Sequence, residues 1–403
     1  MKGGNMPKKK SSKKTAIPAE NGNNFYKAGW QPSIDIDPNT GKGEVVHVGT
    51  DPNYENDFDN ILKNWGFDPS IYEIDGILKV SSWNAQLKGG IVETFHAFKG
   101  TIRRKSATHD KHYDALFKQA VKKPALTKRN LFGGDTAMLF MMSDWQLGKD
   151  DYGVEATIAR YDVALQDAVK LLKNYRKMGM KIDEVFLVGM GDLTEGCSKF
   201  FYESQPFNVS LNLLEQYSLA RAMIYKTVET FLPHVDKITL TGVPGNHGEM
   251  TRSGKGQVLT NRLDNSDTMH LQIMDEIFSA NKERYKKVKV IIPEGYHLNI
   301  EVKGKKTAFT HGHMTNGGGN AEAKIEAWWK GQMFGFLPTG EAEILITAHY
   351  HHFRAKNQGD RHWFQCPSLD KSIDFTQRSG LWSHPGVLTL LVNDRGPSFP
   401  VIV

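Results

Sequence analysis

Five short polar clusters carry residue types suited to chemistry. They are Asp144 and Gln146 in SDWQLGK, Asp192 and Glu195 in GDLTE, Asn246 and His247 in PGNHGE, His311 and His313 in THGH, and His349, His351 and His352 in AHYHHF. Carboxylate, amide and imidazole together form a borderline-to-hard donor set. Such a set suits Mn²⁺, Fe²⁺ or Zn²⁺ better than a thiolate-bound structural zinc, and it needs neither of the two cysteines, Cys197 and Cys366. Each cluster directly follows an apolar run of strand character: TAMLFMM, EVFLVGM, KITLTGV, TAF and EILIT. Side chains two apart at a strand end point the same way, so Asp144 and Gln146 can reach one point just beyond a sheet. Taken singly, each cluster has an ordinary explanation as a polar strand exit, a turn or a satisfied histidine. Five in series, each at a strand end, point to one centre, because functional groups in open α/β sheets gather beyond the carboxyl ends of the strands.

The elements that must position these residues begin near residue 133. TAMLFMM leads to a helix from about Thr157 to Met178, and EVFLVGM to a helix from about Asn212 to Phe231. KITLTGV, KVKVIIP, HLNIEV and TAFTH follow, then a helix containing AEAKIEAWW, then the strands EAEILITA, HWFQCP and GVLTLLV. Strands alternating with helices first, and a run of strands later, predict a mixed α/β layered domain over 133–403. Residues 25–105 read as a small α+β domain. DFDNILKNWGF suggests a short amphipathic helix, and LKVSSWNAQ with IVETFHAFKGTIRRK alternates at period two around Lys88-Gly89-Gly90 as a β-hairpin. Trp83, Phe95 and Phe98 on that hairpin are core candidates, with base stacking as the other possibility. Residues 1–24 are low-complexity and read as a disordered basic tail; 106–132 read as a basic linker with one helical piece at DALFKQAV.

Charge is unevenly spread. Of the net +6, residues 1–24 carry +5 and residues 99–129 carry +8, which leaves −7 for the rest. Positive charge concentrated in a tail and one connecting segment predicts contact with a polyanion, with solvated lysine as the bland alternative. No apolar stretch approaches the roughly 20 residues needed to span a membrane, and the lysine-rich start lacks a hydrophobic signal segment. Two cysteines without a CxxC pattern fit a reducing, cytoplasmic setting.

The ordered series DxQ, GDxxE, GNH, HGH and AHxH resembles the calcineurin-like metallophosphoesterases, whose pattern is DxH, GD, GNH(D/E), H and GHxH. The likeness covers about residues 133–395, and the wording around the motifs is similar to phage-encoded members grouped with SbcD-type DNA repair nucleases. It implies two mixed β-sheets sandwiched between helices in four layers, and two divalent metal ions, Mn²⁺ first with Fe²⁺, Zn²⁺ and Mg²⁺ as alternatives. Position by position, it implies one metal on Asp144, Gln146, Asp192 and His351. The second would sit on Asp192, Asn246, His311 and His349, with His247 unliganded and catalytic. Two such cations, roughly 3.5–4 Å apart, serve in-line attack on phosphorus.

Four positions depart from the family pattern. Gln146 stands where the family has histidine, and Gly248 separates GNH from Glu249. Ala348 replaces the glycine before the last HxH, and Glu195 stands where SbcD-type nucleases carry a second histidine. His313 and His352 read as supporting or surface residues, Cys197 as a packed thiol, and the aromatic EGCSKFFYESQPF as a cleft wall. Arg252 and Lys255, in the loop TRSGKGQ, are candidate substrate contacts. The expectation is a two-metal phosphodiesterase, specifically a DNA nuclease of phage metabolism that meets nucleic acid through the tail and residues 99–129. The alternatives are a small-substrate phosphoesterase (nucleotide, cyclic nucleotide or phosphoprotein) and a non-catalytic accessory subunit on the same fold.

Overall fold

The computed structural model describes residues 26–36, 43–50, 58–69, 72–87, 90–104, 113–126, 133–149, 153–197, 205, 208–251, 260–315, 319–370 and 382–403. The tail 1–24, Arg252, Lys255, Lys105, the Lys88-Gly89 turn and most of the aromatic segment after Cys197 lie outside them. The chain divides into two compact units, Met1–Thr108 and His109–Val403.

In the first unit, β1 (Ser33–Ile36), β2 (Gly43–Gly49), α1 (Phe58–Asn64), β3 (Tyr72–Gln86) and β4 (Val92–Arg104) build an antiparallel sheet in the order β1-β2-β4-β3. The α1 residues Ile61 and Leu62, together with Trp65, pack on Val45, Phe98 and Ile102. Phe98 is therefore core. Trp83 and Phe95 pair directly across β3 and β4 and stack with centroids 6.1 Å apart, a cross-strand aromatic pair. Arg103 is ion-paired with Glu73 at 2.8 Å, and Lys99 with Glu44 at 3.0 Å.

The second unit runs through α2 (Tyr113–Lys122), β5 (Thr136–Met142), α3 (Val154–Lys177), β6 (Ile182–Gly189), α4 (Leu213–Phe231), β7 (Lys237–Gly242), α5 (Ser266–Ser279), α6 (Lys282–Tyr285), β8 (Val288–Val290), β9 (His297–Val302) and β10 (Lys305–Thr310). It continues through α7 (Ala321–Phe334), β11 (Ile344–Thr347), β12 (Arg354–Gln358), β13 (Arg361–Gln365), β14 (Leu388–Asn393) and β15 (Gly396–Ile402). Two mixed sheets result. One has the order β15-β14-β5-β6-β7-β8, with β5 through β8 parallel; the other has β12-β13-β11-β10-β9, with β13, β11 and β10 parallel.

The unbroken apolar run of β5 follows from burial on both of its faces. Met138, Phe140 and Met142 enter a core with residues of α3, α4 and α5, such as Leu165, Leu219 and Met274. Ala137, Leu139 and Met141 enter a second core shared with Phe309, Ile344, Ile346 and Phe364 of the other sheet. The outer face of that other sheet meets α7, where Ile325 and Trp329 pack on Ala308, Leu345 and Trp363. Local signals explain some boundaries. α4 starts at a capping box in which Asn212 Oδ1 accepts from Glu215 N and Asn212 N donates to Glu215 Oε2, each at 3.0 Å.

Several elements escaped the sequence pattern. β12 (RAKNQ) is a polar edge strand with only one neighbour, and α5 follows a loop whose capping signal, Asn265, precedes a modest amphipathic stretch. The segment read as a linker contributes α2, and its end is fixed to this unit. Asn281 Nδ2 donates to Ala120 O at 2.9 Å and to Lys123 O at 3.0 Å.

Glu229 of α4 is the hub of that attachment. It accepts from Arg284 Nη2 at 2.6 Å and Tyr285 Oη at 2.6 Å, and meets Lys123 Nζ at 2.9 Å. Burial disfavours its charge, but the bonds from Arg284, Tyr285 and Lys123 prevail and hold the carboxyl near 2, below the ordinary 4.5. A depressed carboxyl stabilises fully above the unfolded value and loses its contribution as pH falls through the folded one. Glu229→Gln is expected to lower the stability of this unit by roughly 1–3 kcal/mol at pH 7, discounted because the cluster meets some solvent. Urea unfolding of both proteins from pH 7 to 2 checks this: the difference should persist to about pH 4.5 and fade towards pH 2.

Candidate metal centre

The parallel strands β5, β6, β7, β10 and β11 all end at one place, and the loops that follow take an unusual backbone. Asp144, Gln146, Asp192, His349 and His351 all have positive φ, between 44° and 70°. Non-glycine residues rarely adopt this left-handed region, and such strain concentrates at functional sites. Glycines let the loops close on one another. A Cβ on Gly245 would lie 2.2 Å from Asp192 Oδ1, and one on Gly191 would lie 2.7 Å from His311 Nδ1.

Asp267, which the motif pattern did not single out, locks two of these loops. Its Oδ2 accepts from Asp192 N at 3.1 Å and Gly245 N at 2.9 Å, and its Oδ1 from Leu193 N at 3.2 Å. Asn265 adds a bond from Nδ2 to Gly245 O at 2.7 Å. Burial and the nearby Asp192 push the Asp267 carboxyl up to about 6 despite the three amides. The only sequence signal for this pair is a polar N-cap, NSDT, before a helix.

The donors face one another closely. His311 Nδ1 sits 2.7 Å from Met190 O, which only accepts, so Nδ1 carries the hydrogen and Nε2 is left for other partners. His311 Nε2 lies 2.9 Å from Asp192 Oδ2 and 3.1 Å from Asn246 Oδ1. Two oxygens and a ring nitrogen turned together require a proton or a cation between them. Burial opposes a charge on the ring, but the neighbouring Asp192 carboxylate prevails and raises His311 to about 9. Asp192 is correspondingly held far below the usual carboxylate range, His311 and His247 outweighing its burial. The His349 ring lies 5.1 Å from that of His311, and burial, reinforced by His311, lowers it to about 4. Asp192, His311 and His349 can together hold a metal ion, since one ligand atom from each lies within 4.8 Å of the others. Beside them, Asp144 Oδ1 meets His351 Nε2 at 3.2 Å, while Asp144 Oδ2 accepts from Ser143 Oγ. The residues therefore fit divalent cations by donor chemistry and by proximity.

His247 stands apart from that set. Its backbone N donates to Asp192 Oδ1 at 2.7 Å, and its Nδ1 lies 2.9 Å from Glu195 O and 3.4 Å from Glu195 Oε2. Glu195 is fully buried, and Gln205 Nε2 donates to its carbonyl at 2.8 Å. The residue that departs from the nuclease pattern thus holds the ring of His247. Gln146 lies beside His247 as well, with Nε2 3.5 Å from His247 Nε2, while its Oε1 accepts from Lys149 Nζ at 3.2 Å. His313 borders the centre: its ring lies 5.3 Å from that of His311, and its Nε2 lies 3.7 Å from Glu249 Oε1. His352 turns its Nδ1 to Tyr350 O at 2.7 Å. Cys197 is half-buried and Cys366 buried, and burial raises both thiols above their ordinary value.

The Asp267 clamp makes a separable prediction. Asp267→Ala orphans three buried amides, and the loss should be about 2–4 kcal/mol of stability. It should also lower Mn²⁺ affinity at least about tenfold, by releasing the loops that present Asp192 and Asn246. Thermal melting and calorimetric Mn²⁺ titration of the variant measure both quantities.

No protein-family model matches the chain, and no curated protein matches it. Solved structures similar to it include vacuolar protein sorting 29 from Cryptosporidium parvum, at 10% identity over 66% of this chain and 99% of that one, with a TM-score of 0.30. A conserved uncharacterised protein from Streptococcus pneumoniae, described as a predicted phosphoesterase, is similar at 15% identity over 65% and 86%, with a TM-score of 0.28. Vps29 from Entamoeba histolytica, complexed with Zn²⁺, is similar at 11% identity over 66% and 98%, with a TM-score of 0.27.

Proposed function

We propose that residues 133–403 form a two-metal phosphodiesterase of the calcineurin-like metallophosphoesterase type, on that family's four-layer sandwich, and that its substrate is DNA in phage nucleic-acid metabolism. The observation that carries this reading is the meeting of Asp144, Asp192, Asn246, His311, His349 and His351 beyond the strand ends, with His247 beside them and outside the donor set. Asp192 would serve both ions, its Oδ2 turned to His311 and its Oδ1 steadied by the backbone N of His247. When bound, divalent cations would supply positive charge to phosphoryl oxygens and make a water acidic enough to attack. Mn²⁺ is the ion we favour for a set rich in oxygen and imidazole.

His247 supplies the proton chemistry. Glu195 holds its Nδ1 side, which leaves Nε2 to steady an equatorial phosphoryl oxygen or to protonate the leaving oxygen. Substrate capture is assigned to the tail 1–24 and to the exposed lysines Lys118 and Lys122 of α2, since Lys99, Arg103 and Lys123 already have acidic partners. No helix among the described residues is long and apolar enough to cross a membrane, and we place the reaction in the cytoplasm, that of the host if the protein is phage-encoded.

The test is an activity screen on bis-p-nitrophenyl phosphate and on single- and double-stranded DNA. Activity should vanish with excess EDTA and return with Mn²⁺, Mg²⁺ being a weaker substitute; undiminished activity in EDTA would sink the two-metal reading. His247→Ala should lower turnover roughly a hundred- to ten-thousand-fold while elemental analysis finds unchanged metal content. Deleting residues 1–24 and replacing Lys118 and Lys122 with Gln should weaken DNA binding and flatten its salt dependence. Turnover on the small diester should hardly change. DNA left uncut by an enzyme that hydrolyses the small diester would favour the small-substrate alternative.

A further inference from the structure

Lys149 and Asp370 have no part in the donor set, yet both are largely buried beside it. Lys149 Nζ lies 2.7 Å from Asp370 Oδ2, and their side chains are only 18% and 5% exposed. The backbone of Asp370 is fastened to the centre by a bond from its N to Asp144 O at 3.4 Å, and Ser368 Oγ donates to its carbonyl at 2.7 Å. The second partner of Lys149 Nζ is Gln146 Oε1, at 3.2 Å.

Hydrogen-bond direction then propagates along the row. An ammonium only donates, so the Gln146 atom facing Lys149 must be the amide oxygen. The amide nitrogen is consequently the atom turned to His247 Nε2, at 3.5 Å, the long limit of such a bond. His247 Nδ1 lies 2.9 Å from Glu195 O, which only accepts, and 3.4 Å from Gln205 Nε2, so Nδ1 bears a hydrogen. The Gln146 amide N–H meets Nε2 of the neutral ring, and that long contact gives way when Nε2 takes up the proton it delivers. One consistent sense of donation runs Lys149 to Gln146 to His247 to Glu195, with Asp370 anchoring its cationic end.

We propose that Lys149, anchored by Asp370, is a positioning residue that commits the Gln146 carboxamide to His247 and withholds its oxygen from the metal. This rests on the two-metal reading of the centre and alters one part of it: the first metal has Asp144, Asp192 and His351 as its protein ligands, and Gln146 instead orients the catalytic imidazole. An amide in place of the family's histidine is then an exchange of roles. The ammonium takes up the amide oxygen, and the position becomes a second support for His247, opposite Glu195.

Calorimetric Mn²⁺ titration of the purified, metal-stripped protein tests this without reference to activity. Gln146→Ala should bind Mn²⁺ with wild-type stoichiometry and within about threefold of wild-type affinity, while kcat on bis-p-nitrophenyl phosphate falls roughly tenfold at nearly constant KM. Lys149→Met should tighten the weaker site about tenfold, because a nearby cation is lost and the amide oxygen is released. Adding Gln146→Ala to it should reverse part of that gain, and Lys149→Arg should behave as wild type. Weaker Mn²⁺ binding in Gln146→Ala, or unchanged or weaker binding in a folded Lys149→Met, would overturn the proposal. A wild-type protein that binds no Mn²⁺ would refute the metal reading instead. In that event NMR of the metal-free protein decides: the Gln146 carboxamide protons, assigned by their disappearance in Gln146→Ala, should exchange slowly in wild type and rapidly in Lys149→Met. Slow exchange in both proteins would overturn the proposal.

Discussion

The centre depends on a carboxylate that does not belong to the donor set itself. Asp267, in the first turn of α5, gathers amides from the loop after β6 and the loop after β7 into one buried oxygen pair. Backbone amides inside a protein must find acceptors, and those of a left-handed residue such as Asp192 have no sheet partner to turn to. Asp267 supplies the acceptor, and the two loops come to rest against each other with only the space of a missing Cβ between Gly245 and Asp192. The positions of Asn246 and His247 follow from that contact.

Once the loops are fixed, the electrostatics of the site follow from crowding. His311 gives its one ring hydrogen to Met190 O, so its other nitrogen faces oxygen atoms of Asp192 and Asn246. The fold forces like-natured lone pairs together, and their mutual repulsion is relieved only by something positive. A divalent cation would relieve it by engaging several of the donors at once. Strain in the backbone and congestion in the donor set are both set before any ligand arrives.

Much of this was legible in the sequence. The uniform apolar run TAMLFMM identified a buried strand, and the polar pair after it lies at the strand end where the other clusters gather. What the sequence could not disclose were relations between distant residues. Asp267 looks like an ordinary helix-cap residue until its partners 22 and 75 positions earlier are seen. Asp370 stands 221 residues from Lys149, in a stretch without a motif. Glu195 read as a departure from a nuclease pattern, because spacing alone does not reveal that its side chain meets the Nδ1 side of His247. β12 stayed hidden because an edge strand exposed on both faces carries no alternation to detect.

The double burial of β5 has a consequence for how the molecule tolerates insertion and deletion. A strand with one buried face can slip by two residues and keep its pattern. β5 is flanked by a strand on each side and by a separate core above and below, so a shift by one residue exchanges Phe140 with Leu139 and Met141, side chains fitted to different cavities. A shift by two would carry Asp144 about 7 Å along the strand axis, out of reach of His351. The strand therefore acts as a ruler that measures from the core to the centre.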